Sequence, residues 1–155
     1  MAEFDDLLSE LDYPMFIVTA PGGGCLVGFA TQCSIHPPRF LACLSNKNRT
    51  YRLALDAAAL GVHFVPADRA DLAEVFGGET GDEVDKLAQV DWHEGPEGVP
   101  LIDGCANRFV GRVLERVELG DHVGFLLEPI AVEHGTQGEE FTFHRAKRIE
   151  PGHEA

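Results

Sequence analysis

Two short segments early in the chain carry residue types suited to binding a flat, anionic ligand. The first runs over residues 28–34 and is rich in small and polar residues. Glycine lets a ring approach the backbone closely, and polar side chains can hydrogen-bond to the edge of that ring. An edge strand with one solvated face would show the same pattern, so the residues alone leave both interpretations open. The candidate ligand-binding residues of this segment are Gly28, Phe29, Ala30, Thr31, Gln32 and Ser34.

The second segment, residues 45–51, joins a predicted strand to a predicted helix. The N-terminus of a helix presents free N–H groups and partial positive charge, which suits a phosphate. Basic side chains and a hydroxyl add to this, although an ordinary helix-capping loop would look similar. The segment lacks the glycine and lysine pattern of a P-loop, so nucleotide hydrolysis is not expected. The candidate ligand-binding residues are Ser45, Lys47, Asn48, Arg49 and Thr50.

A third candidate is His122, which follows Gly120 and Asp121 at the start of a predicted strand. A histidine in this position is often purely structural, and the residue pattern does not decide. No metal site is expected, because the seven histidines show no H-x-x-H or H-E-x-x-H spacing.

Apolar spacing, turn residues and capping residues predict the elements that position these candidates. Predicted helices cover residues 3–11, 50–60, 72–76 (capped by Asp68) and 80–90. Predicted strands cover residues 15–20, 25–35, 40–45, 62–65, 109–118, 122–134 and 141–149, and residues 94–100 are expected to form a loop. Long antiparallel strands with helices between the early ones predict a mainly β domain over residues 1–155, a β-barrel with peripheral helices.

Composition narrows the possible partners. The chain has 155 residues, 26 acidic and 12 basic side chains, and a net charge of −14. Such a surface repels nucleic acid and anionic membranes, so neither is expected as a partner. A small anionic ligand remains possible if its pocket is locally positive.

Location and redox state are predicted from the cysteines and the N-terminus. Four cysteines occur without a C-x-x-C pair, and the acidic N-terminus does not resemble a secretory signal. We expect a cytoplasmic protein with free, mostly buried thiols, and a structural disulfide is the alternative.

Four motifs together resemble the flavin reductase-like, FMN-binding family. Residues 34–38 (Ser-Ile-His-Pro-Pro) and 48–51 (Asn-Arg-Thr-Tyr) occupy the places of the family's double-proline segment and of its polar loop at a helix start. Residues 98–101 (Gly-Val-Pro-Leu) and 120–122 (Gly-Asp-His) follow in the family's order. The resemblance spans about residues 13–130. It departs from the family at His36, where an acidic residue is usual, and in the Gly-Phe-Ala sequence of residues 28–30.

This resemblance implies a split antiparallel β-barrel of Greek-key strands, a homodimer, and FMN (or FAD) near its interface. It also implies an NAD(P)H-dependent flavin reductase, using NADH or NADPH and supplying reduced flavin to a monooxygenase partner. His122 would lie near the flavin, where the nicotinamide docks. A flavin-dependent oxidase and a flavin carrier or sensor are the alternatives. Because the chain lacks G-x-G-x-x-G, the dinucleotide would dock only transiently on the flavin domain.

Overall fold

Strands dominate the described part of the chain. The structure, a computed structural model, describes residues 1–78 and 85–149. Within these ranges the strands are β1 (Phe16–Ala20), β2 (Gly23–Val27), β3 (Ala30–Ser34), β4 (Arg39–Ser45), β5 (Ala59–Phe64), β6 (Trp92–Glu94), β7 (Pro100–Ile102), β8 (Arg108–Glu118) and β9 (His122–Glu133). The α-helices are α1 (Ala2–Leu8), α2 (Arg49–Ala54), α3 (Ala70–Gly78) and α4 (Phe143–Ala146). None of the described helices is both long and apolar enough to cross a membrane.

Seven strands form one antiparallel sheet in the order β2-β1-β5-β8-β9-β4-β3, while β6 and β7 pair separately. The longest ladder joins β8 to β9 and contains two register shifts, which bend the sheet. Strands β1 and β2 form a hairpin around Pro21 and Gly22. The mainly β fold expected from the sequence is confirmed.

The sheet is rolled around its core. Three strands separate β1 from β4 in the sheet order, which would place them roughly 19 Å apart in a flat sheet. Yet Phe16 of β1 packs edge-to-face against Phe40 of β4, with ring centroids 5.6 Å apart. Phe40 in turn packs against Phe109 of β8 at 5.3 Å. Only a strongly curved sheet brings these rings together, and they form part of a single buried cluster.

One buried histidine links three strands, β5, β1 and β7. His63 of β5 is fully buried, and its Nδ1 lies 2.9 Å from the carbonyl oxygen of Ile17 in β1. The N–H of Ile102 in β7 donates to His63 Nε2 at 3.0 Å. These contacts require the neutral tautomer, with Nδ1–H donating to Ile17. Burial accordingly lowers the pKa of His63 to about 4.

The continuous strand expected over residues 25–35 is wrong. It divides at Gly28 and Phe29 into β2 and β3, which lie at opposite edges of the sheet. The break is a tight turn in which the N–H of Ala30 donates to the carbonyl of Gly28 at 3.1 Å. A Cβ on Gly28 would lie 2.9 Å from the Tyr13 ring, so glycine allows the chain to pass this close.

Two other predicted elements are corrected near the middle of the chain. The helix expected over residues 50–60 ends at Ala54, and Ala59 already belongs to β5. The apolar run of residues 57–60 serves a buried strand, because Ala59 and Leu60 pair with β8. In the region expected to be a loop, residues 96–98 form a 3-10 turn between β6 and β7.

The bounds of α3, and the helix predicted after it, also differ from the sequence-based expectation. This helix extends beyond the predicted end at residue 76 and includes Gly77 and Gly78. The start of the helix expected over residues 80–90 lies outside the described residues. Of the part that is described, residues 87–89 form a 3-10 turn.

The strand expected over residues 141–149 is also wrong, because this segment folds into the short helix α4. Phe141 does pair like a strand residue, since its N–H donates to Val65 and its carbonyl accepts from the N–H of Met15. After Thr142 the chain coils, and the N–H of Ala146 donates to the carbonyl of Thr142 at 3.0 Å. The alternation of aromatic and basic residues therefore reflects a bend and a helical turn rather than a pleat.

Candidate functional site

A cleft of about 360 Å³ opens where the β2–β3 turn, the end of β4 and the segment around α4 meet. Its lining is mostly apolar and aromatic, and it contains no aspartate or glutamate among the described residues. This is unusual for a chain with 26 acidic side chains. The lining consists of Tyr13, Met15, Cys25, Leu26, Val27, Gly28, Phe29, Cys43, Leu44, Ser45, Asn48, Gly77, His122, Phe143, Ala146, Lys147 and Ile149.

Two motifs that are far apart in sequence meet at this cleft. Ser45 at the end of β4 pairs directly with His122 at the start of β9. Next to this pair, the N–H of Asn46 donates to the carbonyl of Asp121 at 2.9 Å. The loop that leads into α2 is therefore fastened to the turn that carries the Gly-Asp-His sequence.

The loop itself is held by local hydrogen bonds. Asn48 is buried and caps α2, with its Oδ1 accepting from the N–H of Thr50 at 2.8 Å. The N–H of Lys47 donates to Ser45 Oγ at 3.3 Å. Thr50 is only 2% exposed, and its hydroxyl bonds to the thiol of Cys25. The Arg49 guanidinium donates to the carbonyl of Gly22 at 3.0 Å.

His122 stands at the wall of the cleft with a defined orientation. Its Nδ1 lies 2.7 Å from the Asp121 carboxylate, and its ring packs against Phe29 at 4.9 Å. The hydrogen bond from His122 lowers the pKa of the Asp121 carboxyl below its ordinary value. With Nδ1 directed to Asp121, Nε2 is the ring nitrogen left for contacts on the other side.

The predicted site residues thus separate into three groups. Gly28, Phe29, Ser45, Asn48 and His122 line the cleft. The residues along β3 continue away from it, with Thr31 and Gln32 exposed and with Ala30 and Ser34 half-buried. The third group lies at the start of α2 beside the cleft and consists of Lys47, Arg49 and Thr50.

Sequence reasoning missed the opposite wall. The rings of Tyr13 and Phe143 stack at 4.8 Å with planes 13° apart, and both line the cleft. Lys147 and Ile149 extend this wall. Aromatic residues near both ends of the chain were the only available signal, and nothing local shows that they meet.

The four cysteines are free, as expected, but only Cys25 and Cys105 are buried, whereas Cys43 is half-buried and Cys33 is exposed. Cys25 and Cys43 line the cleft, and burial raises the pKa of both thiols, that of Cys25 to about 11. Both are therefore protonated near neutral pH and act as small apolar lining. Among the described residues, no group of three His, Cys, Asp or Glu side chains is placed to hold a metal ion.

Comparison with known proteins identifies the family of this chain. The sequence model of the family described as "Flavin reductase like domain" matches residues 8–150. The chain belongs to the flavin reductase-like family. This confirms the resemblance seen in the four sequence motifs.

Several named members of the flavin reductase-like family are similar to this chain. FMN reductase (NADH) RutF of Ancylobacter novellus is 28% identical over 137 residues, covering 86% of this chain and 75% of the relative. The 4-hydroxyphenylacetate 3-monooxygenase reductase component of Pseudomonas aeruginosa is 26% identical, covering 92% and 89%. The solved NADH:FAD oxidoreductase SgcE6 of Streptomyces globisporus is 25% identical with a TM-score of 0.81, covering 92% and 87%.

Proposed function

We propose that this protein is an NAD(P)H-dependent flavin reductase that uses FMN. The observation that carries the proposal is the cleft, where the loop of residues 45–50 that leads into α2 meets His122. The family match over residues 8–150 supports the same function. FAD in place of FMN, and NADPH in place of NADH, are the variants of the proposal that experiment must separate.

The residues of the cleft fit a flavin. Its volume of about 360 Å³ lies within the range of about 300–1,000 Å³ typical of ligand pockets. The aromatic and aliphatic lining suits a flat ring system, while Ser45 and Asn48 supply polar groups. The absence of carboxylates among the described lining residues avoids repulsion of an anionic ligand.

We assign the flavin phosphate to the loop of residues 47–50. Lys47 and Arg49 bring positive charge, and the side chains of Asn48 and Thr50 fix the loop from within. Arg49 would reach the phosphate after breaking its hydrogen bond to the Gly22 carbonyl. A hydrogen bond to the charged phosphate is stronger than one to a neutral carbonyl, so the exchange is favourable. The ring edge would face the turn between β2 and β3, where Gly28 and Phe29 line the cleft.

Bound flavin would supply the hydride-accepting chemistry, and the protein would supply position and electrostatics. His122 would border the space in which the nicotinamide docks. Its orientation by Asp121 leaves Nε2 to contact the ligands. By excluding water and stacking the two rings, the aromatic walls would make hydride transfer effectively unimolecular.

The assembly we propose is a homodimer that covers β3. This strand lies at an edge of the sheet, with Thr31, Gln32 and Cys33 exposed and Phe29 exposed by 56%. An unprotected edge is a template for pairing, so proteins normally cover it.

We further propose a cytoplasmic protein that passes reduced flavin to a monooxygenase, as the name of the Pseudomonas aeruginosa relative suggests.

Anaerobic stopped-flow mixing of FMN-loaded protein with NADH and, separately, with NADPH tests the proposed activity. We expect the oxidised flavin absorbance to bleach with at least one of them. Flavin that binds but stays oxidised with both would reject the reductase and favour the oxidase or carrier alternatives.

A further inference from the structure

The wall around α4 is joined to the segment before β1 by hydrogen bonds and a ring stack. The N–H of Phe143 donates to the carbonyl of Tyr13 at 2.9 Å, beneath the stacked rings of the two residues. The N–H of His144 donates to Asp12 Oδ1 at 3.0 Å. These bonds fix the first turn of α4 against the segment that precedes β1. Lys147, the residue that follows α4, lines the cleft next to this wall.

Lys147 is the one lysine or arginine among the described residues that line the cleft. Its Nζ lies 5.8 Å from the centroid of the Phe143 ring, so the ammonium group rests over the aromatic wall. The neighbouring cations do not share this position. Arg145 donates to the carbonyl of Ala67 and packs over Phe141, and neither it nor Arg148 lines the cleft.

The positive charge of Lys147 matters for ligand binding because the protein as a whole is strongly acidic. The protein carries a net charge of −14, which opposes the approach of any anion. Both proposed ligands are anionic, and the flavin phosphate is already assigned to the loop of residues 47–50. A second source of positive charge on the opposite wall is available for the second ligand.

We infer that Lys147 binds the diphosphate of the nicotinamide dinucleotide and so determines co-substrate affinity. The inference rests on the proposed function, because it takes the flavin and the dinucleotide to share this cleft. The role is in binding, since the dinucleotide would be held by its phosphates while its nicotinamide reaches the flavin. Loss of the lysine should therefore raise KM and leave kcat nearly unchanged.

Equilibrium binding separates this contact from catalysis. ADP-ribose carries the diphosphate without the nicotinamide, so its affinity for FMN-loaded protein can be measured by calorimetry. We expect Lys147→Ala to weaken ADP-ribose about tenfold, because a charge-assisted hydrogen bond is lost. Lys147→Arg should retain most of the affinity. Arg148→Ala, which removes an adjacent cation outside the cleft lining, serves as the matched control and should bind as the parent does.

Steady-state kinetics gives a second test. Lys147→Ala should raise KM for NADH by about the same tenfold factor. Turnover with 1-benzyl-1,4-dihydronicotinamide, an uncharged hydride donor, should not change, because that donor has no phosphate to lose.

The possible failures are distinguishable. Unchanged ADP-ribose affinity in Lys147→Ala would overturn the inference. So would a loss of FMN affinity with riboflavin affinity preserved, since Lys147 would then contact the flavin phosphate instead. If the parent protein binds ADP-ribose through Lys147 but neither NADH nor NADPH reduces its flavin, the proposed function fails and the binding inference stands. If ADP-ribose does not bind the parent protein, the inference fails whatever the rate of reduction.

Discussion

At the scale of single residues, His122 is the side chain most directly open to test. Replacing His122 by alanine should slow flavin reduction by about tenfold or more, because the nicotinamide loses a wall that aligns it. FMN affinity should stay nearly unchanged. Anaerobic stopped-flow measures the first quantity, and quenching of flavin fluorescence measures the second.

His93 offers a matched control for this substitution. Its Nδ1 also lies against a carboxylate, that of Asp103 at 2.5 Å, but it is outside the cleft lining. His93→Ala should leave the reduction rate at the parent value. Equal rates for His122→Ala and the parent would instead make His122 a structural residue.

His63 predicts how stability depends on pH. Its pKa is about 4 in the folded protein and about 6.5 when unfolded, so the unfolded chain binds the proton more strongly. Stability is therefore fully present above pH 6.5 and falls as pH decreases towards 4. The contribution lost between pH 7 and pH 5 is about 2 kcal/mol.

Urea unfolding at pH 7 and pH 5 measures this effect, with His63→Gln as the comparison. Glutamine can donate to Ile17 and accept from Ile102 without titrating. The variant should be less stable at pH 7 but should lose about 2 kcal/mol less than the parent on going to pH 5. Parallel losses in both proteins would show that other groups govern the acid response.

At the scale of elements, the loop leading into α2 should discriminate between flavins. Replacing both Lys47 and Arg49 by alanine should weaken FMN about tenfold or more, because a phosphate loses charge-assisted contacts. Riboflavin, which has no phosphate, should lose much less. Fluorescence titration of both flavins gives the comparison.

Arg52→Ala supplies the control for charge alone, since Arg52 is an exposed cation that follows the loop of residues 47–50, within α2. It should bind both flavins like the parent. If the double variant lost FMN and riboflavin equally, the phosphate would have to lie elsewhere.

The same elements show what the sequence could and could not predict. The strands β8 and β9 were located within a residue or two, because two long runs on either side of a glycine turn favour a hairpin. The run at residues 57–60 was assigned to a helix, because only its pairing with β8 identifies it as a strand. The cleft shows the same division. The loop of residues 45–50 and His122 were found from local motifs, whereas the wall of Tyr13 and Phe143 depends on a contact between distant parts of the chain.

At the scale of the whole molecule, light scattering should give twice the chain mass of 16.9 kDa. The proposed interface over β3 makes Thr31→Glu a sharp test, because it would bury a carboxylate between two acidic protomers. We expect this variant to be a monomer with weakened flavin binding. Ala88→Glu places the same charge on an exposed 3-10 turn and should remain dimeric. A parent protein of 16.9 kDa at micromolar concentration would contradict the proposed assembly.

The curved sheet also affects how the chain folds during synthesis. Strand β4 is central to the curvature, yet one of its two partners is β9, near the other end of the chain. During synthesis, one edge of the β3–β4 hairpin stays unpaired until β8 and β9 have left the ribosome. Until then Phe40 also lacks its contact with the ring of Phe109. Pairing between strands so distant in sequence closes slowly, and a bare edge favours aggregation. Rapid overproduction should therefore favour inclusion bodies, and slower synthesis at low temperature should increase the yield of folded protein.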